Sequence, residues 1–178
     1  MSRIFGPIMQ NGFVVRDLDA AMRHWVERLG VGPFFVLPRV AFAETTYRGQ
    51  AVDIEMAVAT AYSGDMQIEL VQQTNSAPSV YREFLEAGLQ GLHHVGVASQ
   101  DYAADLARAT AHGMAVAQGG RTQAGTGFAY FDNADAFPGT MVELFEATPA
   151  LMKFFAKVQA TSRDWDGRDP IRRPVPRA

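Results

Sequence analysis

The chain contains no cysteine among its 178 residues. It therefore forms no disulfide bond, supplies no thiolate ligand to a metal and uses no cysteine nucleophile. Basic residues are not in excess either. The chain has 16 lysines and arginines against 19 aspartates and glutamates, which gives a net charge of −3. This balance argues against nucleic acid as a partner.

Long hydrophobic runs are missing as well. No stretch approaches the ~18 apolar residues that a membrane-spanning helix needs, and the opening segment MSRIFGPIMQNG lacks the apolar run of a signal peptide. We therefore expect no membrane partner, and cytoplasmic is the default location. A hydrophobic content of 48% is sufficient for a buried core, in one domain or in two small modules.

The sequence repeats itself internally. Residues 10–30, QNGFVVRDLDAAMRHWVERLG, align without gaps on residues 94–114, HVGVASQDYAADLARATAHGM, at an offset of 94 − 10 = 84 positions. Gly12 then falls on Gly96, and Asp17 falls on a second aspartate. Each aspartate precedes a helical pattern and can cap it, because its carboxylate accepts hydrogen bonds from free backbone N–H groups.

Each predicted helix is followed by three strand-like runs. They are FFVLPRVAF, QAVDIEMAVA and DMQIELVQQ in the first half, and MAVAQGG, TGFAYFDN and TMVELFEA in the second. We predict an α+β fold of two tandem βαβββ modules, at 7–74 and 92–147. A linker helix is predicted within 75–91, and a C-terminal helix with a Pro/Arg-rich tail at 148–178.

Polar side chains occupy matching places in the two modules. Gln10 lies on the first strand of one module and His94 on the first strand of the other, while Glu69 and Glu143 lie between apolar residues of the last strands. A buried carboxylate is costly unless it is paired or bound to a metal. Module symmetry would bring the four side chains together as an oxygen-rich set for a divalent metal.

Other interpretations of these residues stay open. Gln10 could hydrogen-bond a neighbouring backbone group and Glu69 could pair with an arginine, without any metal. His93 is adjacent to His94, but neighbours on a strand point to opposite faces. Because His94 is the residue that aligns with Gln10, we expect His94 to be the ligand and His93 to be a packed or hydrogen-bonded neighbour.

This pattern resembles the vicinal oxygen chelate superfamily, which includes glyoxalase I, methylmalonyl-CoA epimerase, extradiol dioxygenases and the bleomycin and fosfomycin resistance proteins. The motifs VVRDLDAAMRHW, GLHHVGV and MVELFE carry the resemblance, and GLHHVGV is most similar to the methylmalonyl-CoA epimerase branch. The resemblance implies a cupped mixed sheet, a homodimer and a divalent Zn, Co, Ni or Mn ion. Its implied ligands are Gln10, Glu69, His94 and Glu143, although the epimerase branch usually has histidine at the first of these positions.

By the same resemblance, we expect a metal-dependent isomerase, epimerase or lyase that acts on a small carbonyl or thioester substrate. The metal would stabilise an enolate, and Glu143 would move a proton on the carbon next to the carbonyl. Asp53 aligns with a second acid/base carboxylate of the epimerases, and a solvated strand residue is the alternative for it.

The competing expectation is a non-catalytic binding protein of the bleomycin-resistance type, with a metal-free cleft for a small molecule. The paired carboxylates on matching strands favour the enzyme. The glutamine in place of the first-strand histidine favours the binding protein, as do the aromatic residues, which number 12 Phe, 5 Tyr and 2 Trp.

Overall fold

The computed structural model describes residues 4–132 and 140–174. Its elements in chain order are β1 (Gln10–Val14), α1 (Leu18–Leu29), β2 (Phe34–Val40), β3 (Phe42–Tyr47), β4 (Gln50–Ala51), β5 (Met56–Ser63), β6 (Met66–Gln73), α2 (Val80–Glu86), β7 (Gly91–Ser99), α3 (Tyr102–Ala111), β8 (Ala115–Thr122), β9 (Gly127–Asp132), β10 (Met141–Glu146), α4 (Pro149–Arg163) and β11 (Ile171–Arg172). These strands form one sheet in the order β11-β2-β5-β6-β1-β7-β10-β9-β8-β3-β4.

The two halves of the repeat meet in the middle of this sheet. β1 pairs in parallel with β6 and antiparallel with β7, and β7 pairs in parallel with β10. The first half contributes β2-β5-β6-β1 and the second contributes β7-β10-β9-β8. Each half follows the βαβββ pattern, so the predicted α+β class and mixed sheet are confirmed.

The first half also contains a hairpin that the sequence analysis did not predict. The run at 34–42 divides between β2 and β3, and the run at 50–59 divides between β4 and β5, with no strand over 52–55. β3 pairs with both β4 and β8, so the hairpin extends the sheet of the second half. Arg48 and Gly49 form its turn with φ of 47° and 77°, as a two-residue type I′ turn requires.

Alternation along the strands separates two faces of the sheet. On one face, α1 covers a core that includes Met22, Ile68 and Leu70, and α3 covers a smaller core that includes Leu144. On the other face, α2 and α4 pack on the largest core. Because successive strand residues point to opposite faces, Glu69 points away from α1, as its apolar neighbours predicted.

The C-terminal segment packs on the first half of the sheet. α4 begins after Thr148, whose side chain accepts a hydrogen bond from the backbone N–H of Leu151, and the helix packs against β5. β11 then pairs in parallel with β2. The end of the predicted tail, 175–178, lies outside the described residues. Within the described chain, every helix is too short or too polar to cross a membrane.

Met22→Ala tests the packing of α1. Met22 is fully buried, so its truncation should lower the free energy of unfolding by about 2–5 kcal/mol. Leu29→Ala is the matched control on the same helix, because Leu29 is 55% exposed and its loss should cost less than about 0.5 kcal/mol. Urea unfolding followed by circular dichroism measures both. Equal losses in the two variants would contradict the packing described here.

Candidate metal centre

Gly12 lies between two of the predicted ligands. On β1 it pairs with Glu69 of β6 on one side and with His94 of β7 on the other. A Cβ atom at Gly12 would lie only 1.9 Å from Nε2 of His94. The imidazole ring therefore occupies the space that a side chain at position 12 would fill.

Gly96 has the same role in the second half. It pairs with Gln10 of β1 and with Glu143 of β10, and a Cβ atom there would lie 2.2 Å from Oε1 of Gln10. Gly12 and Gly96 are aligned residues of the repeat. Gln10 and His94, each two positions before the glycine of its own half, are aligned as well. The site thus has approximate two-fold symmetry.

Three ionisable side chains converge at this point. The ligand atoms of Glu69, His94 and Glu143 all lie within 4.8 Å of one another. Nε2 of His94 is 3.3 Å from Oε2 of Glu69 and 3.4 Å from Oε2 of Glu143. His94 is fully buried, and the two glutamate side chains are only 16% and 11% exposed.

Gln10 presents an unpaired amide oxygen beside Gly96. Its Nε2 donates a hydrogen bond of 2.6 Å to Oε1 of Gln67, and Nε2 of Gln67 donates one of 2.9 Å to the hydroxyl of Tyr62. This chain orients the amide and leaves Oε1 of Gln10 buried, without a hydrogen-bond partner among the described residues. An unpaired buried acceptor costs about 1–3 kcal/mol, which a cation at the site would relieve.

The charges of the group depend on one another. Burial lowers the pKa of His94, but the carboxylates of Glu143 and Glu69 outweigh this effect and raise it to about 9. Burial raises the pKa of Glu69; His94 opposes that rise and the charge of Glu143 adds to it. When both carboxylates are ionised, the protonated imidazole of His94 compensates only one of the two negative charges.

His93 forms a hydrogen bond with Nδ1, the second ring nitrogen of His94. The two Nδ1 atoms are 3.0 Å apart, and the His93 ring packs on Tyr81, Phe84 and Tyr130. Burial and the nearby His94 lower the pKa of His93 to about 3, so His93 is neutral and accepts the hydrogen bond from His94. This bond directs Nε2 of His94 towards the carboxylates. His93 is therefore a packed, hydrogen-bonded neighbour, as the sequence predicted. The expectation that it points away from His94 is wrong, because the pairing of β7 with β1 shifts register at His93 and both rings contact Tyr130.

The group opens into a cavity of about 410 Å³ between the two halves of the sheet. This volume is within the roughly 300–1,000 Å³ of small-molecule sites. Gln10, Glu69 and Glu143 line one end, which we call the polar end. The phenylalanines of the remaining wall are Phe42, Phe128, Phe145, Phe154 and Phe155.

Two tyrosines of the lining were not recognised in the sequence. Tyr130 on β9 pairs with Glu143, and its ring centroid is 5.1 Å from that of His94. Tyr81 packs edge-on against Tyr130 at 5.6 Å. Burial and the charge of Glu143 raise the pKa of both phenols, so both are neutral hydrogen-bond donors at neutral pH. The available signal was strand alternation, which places Tyr130 on the same face as Phe128.

Asp53 is not brought to this group. It is exposed and lies in the strand-free stretch 52–55, outside the described lining of the cavity. Its carbonyl oxygen accepts a hydrogen bond of 2.7 Å from Nδ2 of Asn75. The expectation that Asp53 lies on a strand is wrong, because β5 begins only at Met56. An acid/base role for Asp53 stays a prediction.

The residues of the polar end fit a divalent metal. The unpaired oxygen of Gln10, the carboxylates of Glu69 and Glu143 and Nε2 of His94 form one mixed oxygen and nitrogen donor set. Zinc, cobalt, nickel and manganese all accept such ligands. A cation would also compensate the buried negative charge, whose desolvation costs several kcal/mol per ion when it is unpaired.

Paired βαβββ modules around one buried polar group define a glyoxalase-like protein. A family model described as the Glyoxalase/Bleomycin resistance protein/Dioxygenase superfamily matches residues 9–131. The chain belongs to this superfamily, as its motifs indicated. No functionally curated protein matches the chain.

Solved structures with the same fold include two methylmalonyl-CoA epimerases. The enzyme from Mycobacterium tuberculosis is 22% identical with a TM-score of 0.58, over 86% of this chain and 95% of that one. A Streptomyces coelicolor enzyme in complex with 2-nitronate-propionyl-CoA is 19% identical with a TM-score of 0.53, over 82% and 96%. A hypothetical protein from Bacillus halodurans C-125 is 14% identical with a TM-score of 0.58, over 80% and 94%. At these identities the similarity establishes the fold alone.

Gly12→Ala tests the geometry of the group without requiring a metal. The new methyl group would overlap the ring of His94, so we expect altered ¹⁵N and ¹H shifts of that ring in NMR spectra. Overpacking should also reduce the free energy of unfolding by about 1–3 kcal/mol. Asn11→Ala, on the same strand but the opposite face, is the control. Unchanged His94 shifts in Gly12→Ala would contradict the close approach.

Proposed function

We propose that this protein is a metal-dependent isomerase, epimerase or lyase that moves a proton next to the carbonyl group of a small carbonyl or thioester substrate. One observation supports this above all. Glu69, His94 and Glu143 lie within 4.8 Å of one another, and the unpaired oxygen of Gln10 faces the same cavity as the carboxylates.

The proposed metal ligands are Gln10, Glu69, His94 and Glu143. A divalent ion bound by them would act as a Lewis acid on the oxygen atoms of the substrate. His93 would hold the imidazole of His94 in the tautomer whose Nε2 is free to bind, by accepting a hydrogen bond from Nδ1–H of His94. Gln67 would hold the amide of Gln10 with its oxygen directed into the site.

Glu143 is the proposed base. Its carboxylate lines the cavity and takes a proton from the carbon beside the carbonyl group. The C–H bond breaks, an O–H bond forms on Glu143, and the electron pair moves towards the carbonyl oxygen. Glu69 lies on the matching strand of the other half and also lines the cavity. Glu69 would return a proton to the same carbon.

Tyr81 and Tyr130 are the proposed donors to the substrate. Both line the cavity beside Glu143, and both phenols stay protonated because burial raises the pKa of each. A neutral phenol can donate a hydrogen bond to an oxygen atom that gains negative charge as the proton leaves.

Binding without chemistry is the second candidate function. The aromatic wall of the cavity favours it, because such a surface holds an apolar ligand with no help from a metal. The two candidates differ in one observable property, which is whether the protein removes a proton from a bound carbonyl compound.

Deuterium exchange tests the proposal. The protein, loaded in turn with zinc, cobalt, nickel or manganese, is incubated in D₂O with 2-hydroxyacetophenone or propionyl-CoA, and the α-proton signals are followed by NMR. With at least one metal we expect exchange well above the buffer rate. Glu143→Gln should slow it roughly 100-fold or more, because a positioned base contributes about 10²–10⁴-fold.

Glu146→Gln is the matched control. Glu146 lies on the same strand as Glu143, but it pairs with Arg121 at 2.7 Å and lies outside the cavity lining. The Glu146→Gln variant should therefore exchange the α-protons of the added compound at the wild-type rate. Exchange at the buffer rate with every metal and both compounds would contradict the proposal and favour binding without chemistry.

A further inference from the structure

We infer that this site selects a substrate with an uncharged, apolar body, and that α4 is the wall that makes the selection. The inference deepens the proposed function by naming a substrate class. It concerns binding in the cavity and does not require that the bound molecule react.

Most of the cavity lining is apolar, and its uncharged polar residues outside the polar end are Thr60, Thr122, Gln123 and Thr126, besides the two tyrosines. Gln10, Glu69 and Glu143 provide the polar end, which suits a head group with neighbouring oxygen atoms. Away from it, the sheet contributes Phe42 and Phe128, whose ring centroids are 5.4 Å apart. Such a surface is favourable for apolar groups, which gain by leaving water, and unfavourable for charged ones.

Cationic partners are scarce in this cavity. Among the described lining residues, Arg39 is the only lysine or arginine. Its side chain is 76% exposed and already lies 3.5 Å from Glu55. In the metal-free cavity, a phosphate or carboxylate would thus meet aromatic walls and the carboxylates of the polar end. A buried charge without a partner is strongly disfavoured.

α4 lies beyond the part of the chain that the family model matches. That match ends at residue 131, whereas α4 spans Pro149–Arg163. Leu151, Phe154 and Phe155 of α4 nevertheless line the cavity. This part of the wall therefore belongs to a segment outside the matched family region.

The position of α4 is held by contacts of its cavity-lining residues and of the turn that follows them. Phe155 and Val158 are buried in the main core, and the Phe154 ring packs edge-on against Phe35 at 6.3 Å. Near its C-terminal end, Gln159 donates a hydrogen bond of 3.0 Å to Asp65. The helix is thus a fixed apolar wall of the cavity.

Displacement of an uncharged fluorescent probe, N-phenyl-1-naphthylamine, tests the inference. The probe should bind to the wild-type protein with enhanced emission, with or without metal. From the metal-free protein, we expect 1-phenyl-1,2-propanedione to displace it at a concentration at least tenfold lower than benzoylformate, which has the same phenyl ketone but a carboxylate. Propionyl-CoA should be a similarly weak competitor. Equal or stronger competition by benzoylformate or propionyl-CoA would overturn the inference.

Three variants locate the probe. Ala41→Trp adds bulk at an exposed lining position without emptying the core, and should weaken probe binding at least tenfold. The double variant Leu151→Ala with Phe154→Ala removes apolar wall and should weaken it by a similar factor. Met152→Ala, on the same helix but outside the described lining, should leave it within twofold. Wild-type affinity in the double variant would overturn the role of α4, and wild-type affinity in Ala41→Trp would overturn the assignment of the probe to this cavity. Because the probe needs no metal, failure of the proposed chemistry would leave this result unchanged.

Discussion

Burial of negative charge is the constraint on which the rest of the site depends. Two carboxylates that are mostly withdrawn from water cost several kcal/mol each unless cations compensate them. The imidazole of His94 lies within 3.4 Å of both and compensates one charge when it is protonated. The unpaired oxygen of Gln10 adds a further unsatisfied acceptor. A divalent cation would satisfy all four groups at once.

The repeat explains how one sheet positions these groups. Gly12 and Gly96 remove two side chains from the centre of the sheet, and the ring of His94 and the amide of Gln10 occupy the space that is left. Parallel pairing then places a glutamate from the last strand of each half beside each glycine. The hydrogen bond that Gln10 donates to Gln67, and the hydrogen bond between the Nδ1 atoms of His93 and His94, orient the ligand atoms. The site therefore depends on backbone pairing at least as much as on the ligands themselves.

Strand alternation and the internal repeat were sufficient to predict the βαβββ modules and the residues of the candidate site. The alignment of Gln10 with His94 and the apolar neighbours of Glu69 and Glu143 predicted which four side chains would meet. The same patterns did not predict structure that depends on pairing between strands far apart in the sequence. β3 pairs with β8, about 75 residues further along the chain, and this hairpin ends the strand that was expected to contain Asp53. The packing of α4 on the cavity depends on tertiary contacts of Phe154 and Phe155, which helical periodicity alone cannot identify.

The central claim is that Gln10, Glu69, His94 and Glu143 bind one divalent metal. Anomalous diffraction from crystals of the cobalt-loaded protein, recorded at the cobalt absorption edge, tests it most directly. We predict a single strong peak within about 2.0–2.3 Å of Nε2 of His94 and of both carboxylates, the usual range for such ligands, with Oε1 of Gln10 directed at it. A peak elsewhere, or no peak and a reversed Gln10 amide that donates its N–H to a carboxylate, would contradict the account.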